Sequence, residues 1–384
     1  MAAEGPPMND VAQVARREIR RLGRLPVLWA LLGPIPAAMT LLLIGVFATE
    51  VVRDLPVAVL DRDRSATSRI AARWLDATRS SRMAGYVEDL GAARSAVLER
   101  EVYGVLVVPL HFERDLLRGR SPHLTFLFNE EYLTAGGNVS NDVSRGAAAA
   151  AALLTALRGR EAAPIRVDLR SLFNPAVSYA GALGFVLISG LLTLVIGLAT
   201  IYAVGRELAD KTAAEWLETA RGSTAAAWLG KLAPYTAFHC ILVVALLGLF
   251  GAWYGIPVRG PAWLLAVATI AFVLASQAFG LLIIAWTANL RVSLGMGTVI
   301  LGPAVAFSGV TFPLVAMPVG ARIWAHALPL THAMKLIRAG INVGAPETAG
   351  GPLLALALTT AIAFALALPR LPALLRNPVY WGRA

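Results

Sequence analysis

Six stretches of the chain are almost wholly apolar: roughly residues 27–48, 176–203, 232–255, 262–288, 292–315 and 352–369. None of them shows the polar stripe that a water-facing helix carries at helical spacing. A bilayer core about 30 Å thick needs about 20 apolar helical residues to cross it. The pattern therefore predicts an α-helical polytopic membrane protein with six spanning helices. Pro34 and Pro36, near the start of the first run, are expected to kink it or to mark where its regular part begins. The polar stretch between the first two runs, residues 50–175, alternates short β-like runs with helical patterns. Pro56–Leu60, Val102–Val108 and Leu124–Phe128 read as strands, and Ser65–Thr78, Leu90–Glu99 and Leu110–Leu117 as helices. A long alanine-rich helix over 133–158 then leads to a strand-like Ile165–Leu169. This is the signature of an inserted α/β domain with a mixed sheet. Asp61 and Asp63 are expected to cap the helix that follows them, and Asn129, Glu130 and Glu131 to form a polar turn.

Composition agrees with the pattern. Hydrophobic residues make up 57% of the chain and charged residues 15%, against about 25% charged in an ordinary globular domain. The net charge of +10 is better explained by basic residues on the cytoplasmic side of a membrane than by nucleic acid. The single cysteine, Cys240, excludes an intramolecular disulfide or a multi-cysteine metal site and reads as a packing residue.

The basic residues also orient the spans. Arg16, Arg17, Arg20, Arg21 and Arg24 precede the first run and assign residues 1–26 to the cytoplasm. Residues 50–175 then lie outside, Arg206–Lys231 inside, and the tail 370–384, with Arg370, Arg376 and Arg383, inside again. The first run is about 22 residues long, longer than a signal-peptide core of roughly 7–15, and is expected to be an uncleaved span. The stretch 314–351, holding Arg322, Lys335 and Arg338, is too charged for a clean span. An interfacial helix or a re-entrant pair on the outer side fits it better.

Chemistry narrows the function. The apolar runs contain no Asp, Glu, Lys or Arg, which argues against a proton-coupled carrier or an intramembrane protease. His239 is the one titratable side chain in them apart from Cys240, and reads as a packing residue. No GxxxxGK[ST] phosphate loop is present, so ATP would have to be supplied by another subunit. Attention then falls on Gly205–Tyr235, GRELADKTAAEWLETARGSTAAAWLGKLAPY. On one helix over 205–221, Ala209, Ala213, Trp216, Leu217 and Ala220 form an apolar face for the membrane boundary. Glu207, Lys211, Glu215 and Glu218 form a charged face, with Glu207 and Lys211 as an i,i+4 pair. Lys231 reads as a side chain snorkelling to the span boundary.

These motifs resemble the coupling region of type-two ABC transporter permeases, where a pattern close to RE-x-x-x-GT-x-x-x-L precedes GK-x-x-PY. Here Arg206–Glu207 and Gly230–Lys231–Leu232–Ala233–Pro234–Tyr235 carry it. Phe307–Pro318 (FSGVTFPLVAMP) and Ala327–Gly340 (ALPLTHAMKLIRAG) are similar to the family's C-terminal signature, which brings in Gly309, Phe312, Pro313, Pro318, Pro329, Thr331, His332 and Arg338. One span, a large external domain and five further spans is the layout of a subgroup of export permeases. Departures are present: Lys211–Thr212 stands where the family has GT, a proline is replaced near Arg221, and Ala182–Leu183–Gly184 takes the place of a VPG. The resemblance implies a non-enzymatic permease of an ATP-driven exporter in the bacterial inner membrane. It implies a second permease copy or paralogue and two ATP-binding subunits that hold ATP and Mg, with no cofactor on this chain. It also implies that Arg206, Glu207, Lys211, Thr212, Glu215 and Glu218 belong to the helix that docks on the ATPase. A periplasmic adaptor is a further expected partner. The competing expectation is a membrane-anchored envelope scaffold that needs no ATPase.

Overall fold

The computed structural model describes residues 8–48, 55–73, 81–98, 101–102, 104–118, 124–128, 180–256, 258–337 and 346–383. These divide into two compact units, residues 49–177 and the remainder.

In the smaller unit, β1 (Leu55–Asp61) is central and pairs in parallel with both β2 (Ser81–Tyr86) and β3 (Gly104–Val108). β3 pairs antiparallel with β4 (Thr125–Phe128), giving the order β2-β1-β3-β4 in a mixed sheet. Val57, Val59, Leu106 and Val108 are buried on one face with Ala72 and Phe112; Ala58, Leu60 and Val105 are buried on the other with Ala93. Helices on both faces explain why β1 reads as a continuous apolar run rather than an alternating one. These helices are α4 (Ala66–Arg73), α5 (Leu90–Leu98) and α6 (Phe112–Leu117). β2 escapes the sequence reading because SRMAGY is polar and small and has little β-branched character. Asp61 does brace the turn into α4, accepting from the amides of Asp63 and Arg64 and from the Ser68 hydroxyl. Asp63 does not: it reaches across to accept from the Glu113 amide and caps α6 instead. The expected alanine-rich helix, the strand at 165–169 and the turn at 129–131 lie outside the described residues.

Among its described residues the larger unit holds six helices long and apolar enough to cross a membrane. The first is broken. Pro34 and Pro36 remove two amide donors, and Gly33 (φ −127°, ψ −72°) separates α2 (Pro26–Leu32) from α3 (Pro34–Val46). The others are α7 (Phe185–Ala209), α9 (Thr224–Trp253), α10 (Ala262–Thr287), α11 with the short α12 (Leu290–Leu301, Ala304–Phe307), and α15 (Gly350–Ala367). Ser223 and Asn289 start α9 and α11 by accepting from the amides of Ala226 and Val292.

α7 and α10 form the centre: 72% and 67% of their apolar windows are buried, against no more than 28% in the other four spans. They cross closely because both are glycine at the crossing. A methyl group at Gly280 would come within 2.5 Å of the Gly197 carbonyl oxygen. Gly280→Ala is therefore expected to force the two central helices apart and to cost about 1–3 kcal/mol, read as a lower melting temperature of the purified protein.

The stretch after α12 folds as two short helices, α13 (Val319–Ala327) and α14 (Pro329–Leu336), joined by a sharp bend at Leu328. α13 exposes Val319 and Ile323, whereas α14 is buried along nearly its whole length against α10 and α15. Two further short helices complete the unit: α8 (Ala213–Thr219) between α7 and α9, and α16 (Leu371–Arg376) after the last span. Before the first span, residues 8–22 form a helix of their own, α1 (Met8–Leu22).

Candidate functional site: a buried charge node at one end of the bundle

The expected single amphipathic helix over 205–221 does not form. α7 runs on to Ala209, past the end of its apolar run, so Glu207 stays inside the bundle with no exposure. The chain then reverses at Asp210–Thr212, where Lys211 takes a left-handed conformation (φ +60°), before the short α8 begins. A second left-handed pair, Arg221 and Gly222 (φ +50° and +81°), separates α8 from α9. α9 begins well before its apolar run, and this places Lys231 within a helix, also with no exposure. Lys231 therefore does not snorkel, and the spanning helices do carry charge, at their ends.

What Lys231 meets is the N-terminal helix. α1 packs along the first turns of α9 and buries Asp10, Val14 and Glu18, four residues apart on one stripe. The approach is close at Gly230, where a methyl group would come within 2.6 Å of the Val11 carbonyl oxygen and the Val14 side chain. One turn further along α1, Glu18 Oε2 accepts from Lys231 Nζ at 2.7 Å, and the same ammonium donates to Glu207 Oε1 at 3.1 Å. Tyr235 donates its hydroxyl to the other Glu18 oxygen at 2.7 Å. Gly230, Lys231 and Tyr235 of the GK-x-x-PY motif thus all serve one contact, the seat of α1. Pro234 lies inside α9, half-buried.

Glu207 is shared more widely. Arg17 donates to both of its oxygens, at 2.6 and 3.2 Å. Arg21 and the Thr212 hydroxyl also contact its carboxylate. Arg21 extends to Thr212 Oγ1 at 3.0 Å and to Asp210 at 3.2 Å, and Asp210 pairs with Arg206 at 2.9 Å. Burial works against the charge of Arg17, but the Glu207 bond and charge outweigh it and hold its pKa above the ordinary value. Two buried carboxylates are thus met by Lys231, Arg17 and Arg21, and each carboxylate accepts more than one bond. That is the condition under which buried charge is tolerated.

α8 closes the node from the side. Trp216 is fully buried and lies 4.8 Å from Lys231 Nζ, a cation–π contact. It packs edge-on to Trp228 at 4.8 Å and donates its indole N–H to the Ala227 carbonyl at 3.1 Å. Ala213 and Ala220 are buried beside it, so the apolar face of α8 is spent inside the protein rather than on a membrane surface. Glu215 and Glu218 point outward and are exposed. The predicted Glu207–Lys211 pair is absent, because the left-handed turn carries Lys211 away. Its side chain lies instead near Gly382 of the C-terminal segment, whose amide donates to the Leu208 carbonyl at 2.7 Å. α16 packs against the other side of α8.

The second group of sequence-derived residues is not brought to this node. Leu330 lies against Gly190 in the first turns of α7, whereas Glu207 is in its last turn. That separation is about 25 Å at the rise of an α-helix. Gly309 is left-handed (φ +76°), Phe312, Pro313 and Pro318 are exposed, and Pro329 opens α14. Thr331 donates to the Phe307 carbonyl at 3.2 Å, and a His332 ring nitrogen meets the His326 carbonyl at 2.8 Å. Both side chains thus tie the bend together. Arg338 lies outside the described residues. His239 is fully buried in α9.

The sequence reading missed Glu18, Arg17 and Arg21 as site residues. The available signal was an acid set among arginines, on the same i,i+4 stripe as Asp10 and Val14. A search of curated proteins finds no match to the chain. The profile of the ABC-2 family transporter proteins matches residues 27–368, most of the chain including all six spans, and the protein therefore belongs to the ABC-2 family of transporters.

Proposed function

We propose that this permease is the membrane subunit of an ATP-driven exporter, moving a drug, lipid or other amphiphile across the bacterial inner membrane. Separate ATP-binding subunits, holding ATP and Mg, would dock at the node end of the bundle, which then faces the cytoplasm with both termini. A second copy or paralogue would complete the pathway, and a periplasmic adaptor could join through the external domain.

One observation supports this reading above the others. α8 presents Glu215 and Glu218 outward, while Trp216 on its opposite face is locked against Lys231 of α9 and the node reaches Glu207 of α7. A push on such a helix is transmitted to two spans at once rather than absorbed by a loose loop. Glu215→Lys combined with Glu218→Lys is expected to reduce co-purification of the ATP-binding subunit by at least about tenfold. Substrate-stimulated ATP hydrolysis in reconstituted vesicles should fall with it, while the melting temperature of the isolated permease changes little, because both side chains are exposed and the Glu215–Arg17 contact is a long 3.9 Å. Normal recovery of the ATPase with both charges reversed would exclude α8 as the docking element.

A further inference from the structure

The outer edge of α1 carries a feature that the node does not use. Arg17 and Arg21 are committed to Glu207 and Asp210, but Arg16, Arg20 and Arg24 are exposed and form no ion pair among the described residues. They lie four residues apart: Arg16 and Arg20 share one side of α1, and Arg24 follows in the turn just after its last residue, Leu22. They line one wall of an open groove of about 740 Å³ whose other wall is Asp210, Thr212 and Glu215. Asp210 is already held by Arg21 and Arg206, and the Glu215 carboxylate lies 3.9 Å from Arg17, so neither cancels the three remaining guanidinium groups.

The level of the groove identifies what would fill it. Arg24 is two residues before Pro26, the first residue of the first span. The opening turn of that span exposes Val27 and Trp29, and Ile19 on α1 is exposed as well. An exposed tryptophan beside apolar side chains is the arrangement found where a helix enters a bilayer. Headgroup layers are about 5–7 Å deep on each side of the hydrocarbon. Arg24, in the turn between α1 and the span, falls within that layer, and Arg20 and Arg16 follow on successive turns of α1. We infer that this groove binds the phosphate-bearing headgroup of an anionic phospholipid, held by Arg16, Arg20 and Arg24. Guanidinium groups suit phosphate oxygens because their fixed donor fork can engage two at once.

The test uses the full-length permease alone in neutral detergent, so its result is independent of any ATPase docking. Melting temperature is followed during titration with dioleoylphosphatidylglycerol, dioleoylphosphatidylcholine or inorganic phosphate, and bound lipid is counted by native mass spectrometry. The expected result is a saturable rise with phosphatidylglycerol only. In the triple variant Arg16→Gln/Arg20→Gln/Arg24→Gln the apparent affinity should fall by at least about tenfold. Arg291→Gln, which removes an exposed arginine elsewhere, should leave it unchanged. Because the three arginines are exposed and unpaired, the lipid-free melting temperature of the triple variant should match the parent. Equal stabilisation by phosphatidylcholine, undiminished phosphatidylglycerol binding in the triple variant, or an equal effect of inorganic phosphate would each overturn the proposal.

Discussion

Lys231→Met is expected to destabilise the permease by about 3–5 kcal/mol. Lys231 has no exposure, and among the described residues its ammonium is the one group that touches both Glu18 and Glu207. Glu207 keeps Arg17 and Arg21 when the lysine is lost, whereas Glu18 keeps, among the described residues, the Tyr235 hydroxyl alone. The penalty is therefore dominated by one stranded carboxylate. This makes a sharp double-mutant prediction. Glu18→Gln in the Lys231→Met background removes the stranded charge and should recover most of the loss, leaving a coupling energy of several times RT. The four melting curves of the cycle decide it. If the two losses simply add, Glu18 and Lys231 do not sense each other and the node as described is wrong. Limited proteolysis gives a second readout: α1, rich in arginine, should become cleavable by trypsin in Lys231→Met and be protected again in the double variant.

Trp216→Ala should have an effect of similar size, about 3–5 kcal/mol, for a different reason. No charge is stranded. The indole is fully buried between Lys231 and Trp228, and removing it opens a cavity at the point where α8 attaches to α9. Trp216→Phe keeps a ring over the ammonium but leaves the Ala227 carbonyl without its 3.1 Å donor, and is expected to lose only about 1 kcal/mol. Hydrogen exchange over residues 210–223 separates the cases. Fast exchange there in Trp216→Ala, with slow exchange retained in α9, would show α8 detached from an otherwise intact bundle. Unchanged exchange in Trp216→Ala would mean that the tryptophan does not anchor the helix.

The membrane character, the number of spans and the presence of an α/β insertion were legible because each depends on a property summed over many residues. Twenty apolar positions cannot be satisfied in water whatever their neighbours do. The run Val102–Val108 likewise announces a buried strand without reference to its partners, whereas β2 carries no such signal and exists because β1 offers it an edge. Helix ends were read less well. Both α7 and α9 extend past their apolar runs into charged sequence, since Glu207 and Lys231 find partners there that water would otherwise have had to replace.

The charged residues of the 205–221 segment were recognisable from their spacing, but the contacts they make were not. Glu207 and Lys211 are placed for an i,i+4 pair on any continuous helix, and continuity is what Asp210–Thr212 interrupts. Glu18, the residue that joins α1 to α9, lies 213 positions from its lysine, and no local pattern links them. The amino-acid order alone determined the solvent this chain lives in, its helical architecture and the family it belongs to, because hydropathy and short motifs are written within a few turns of helix. Only the folded bundle decided which charges are buried and which are offered outward. A charge can be kept from water only where distant segments converge to hold it, and that convergence is a property of packing rather than of any one segment.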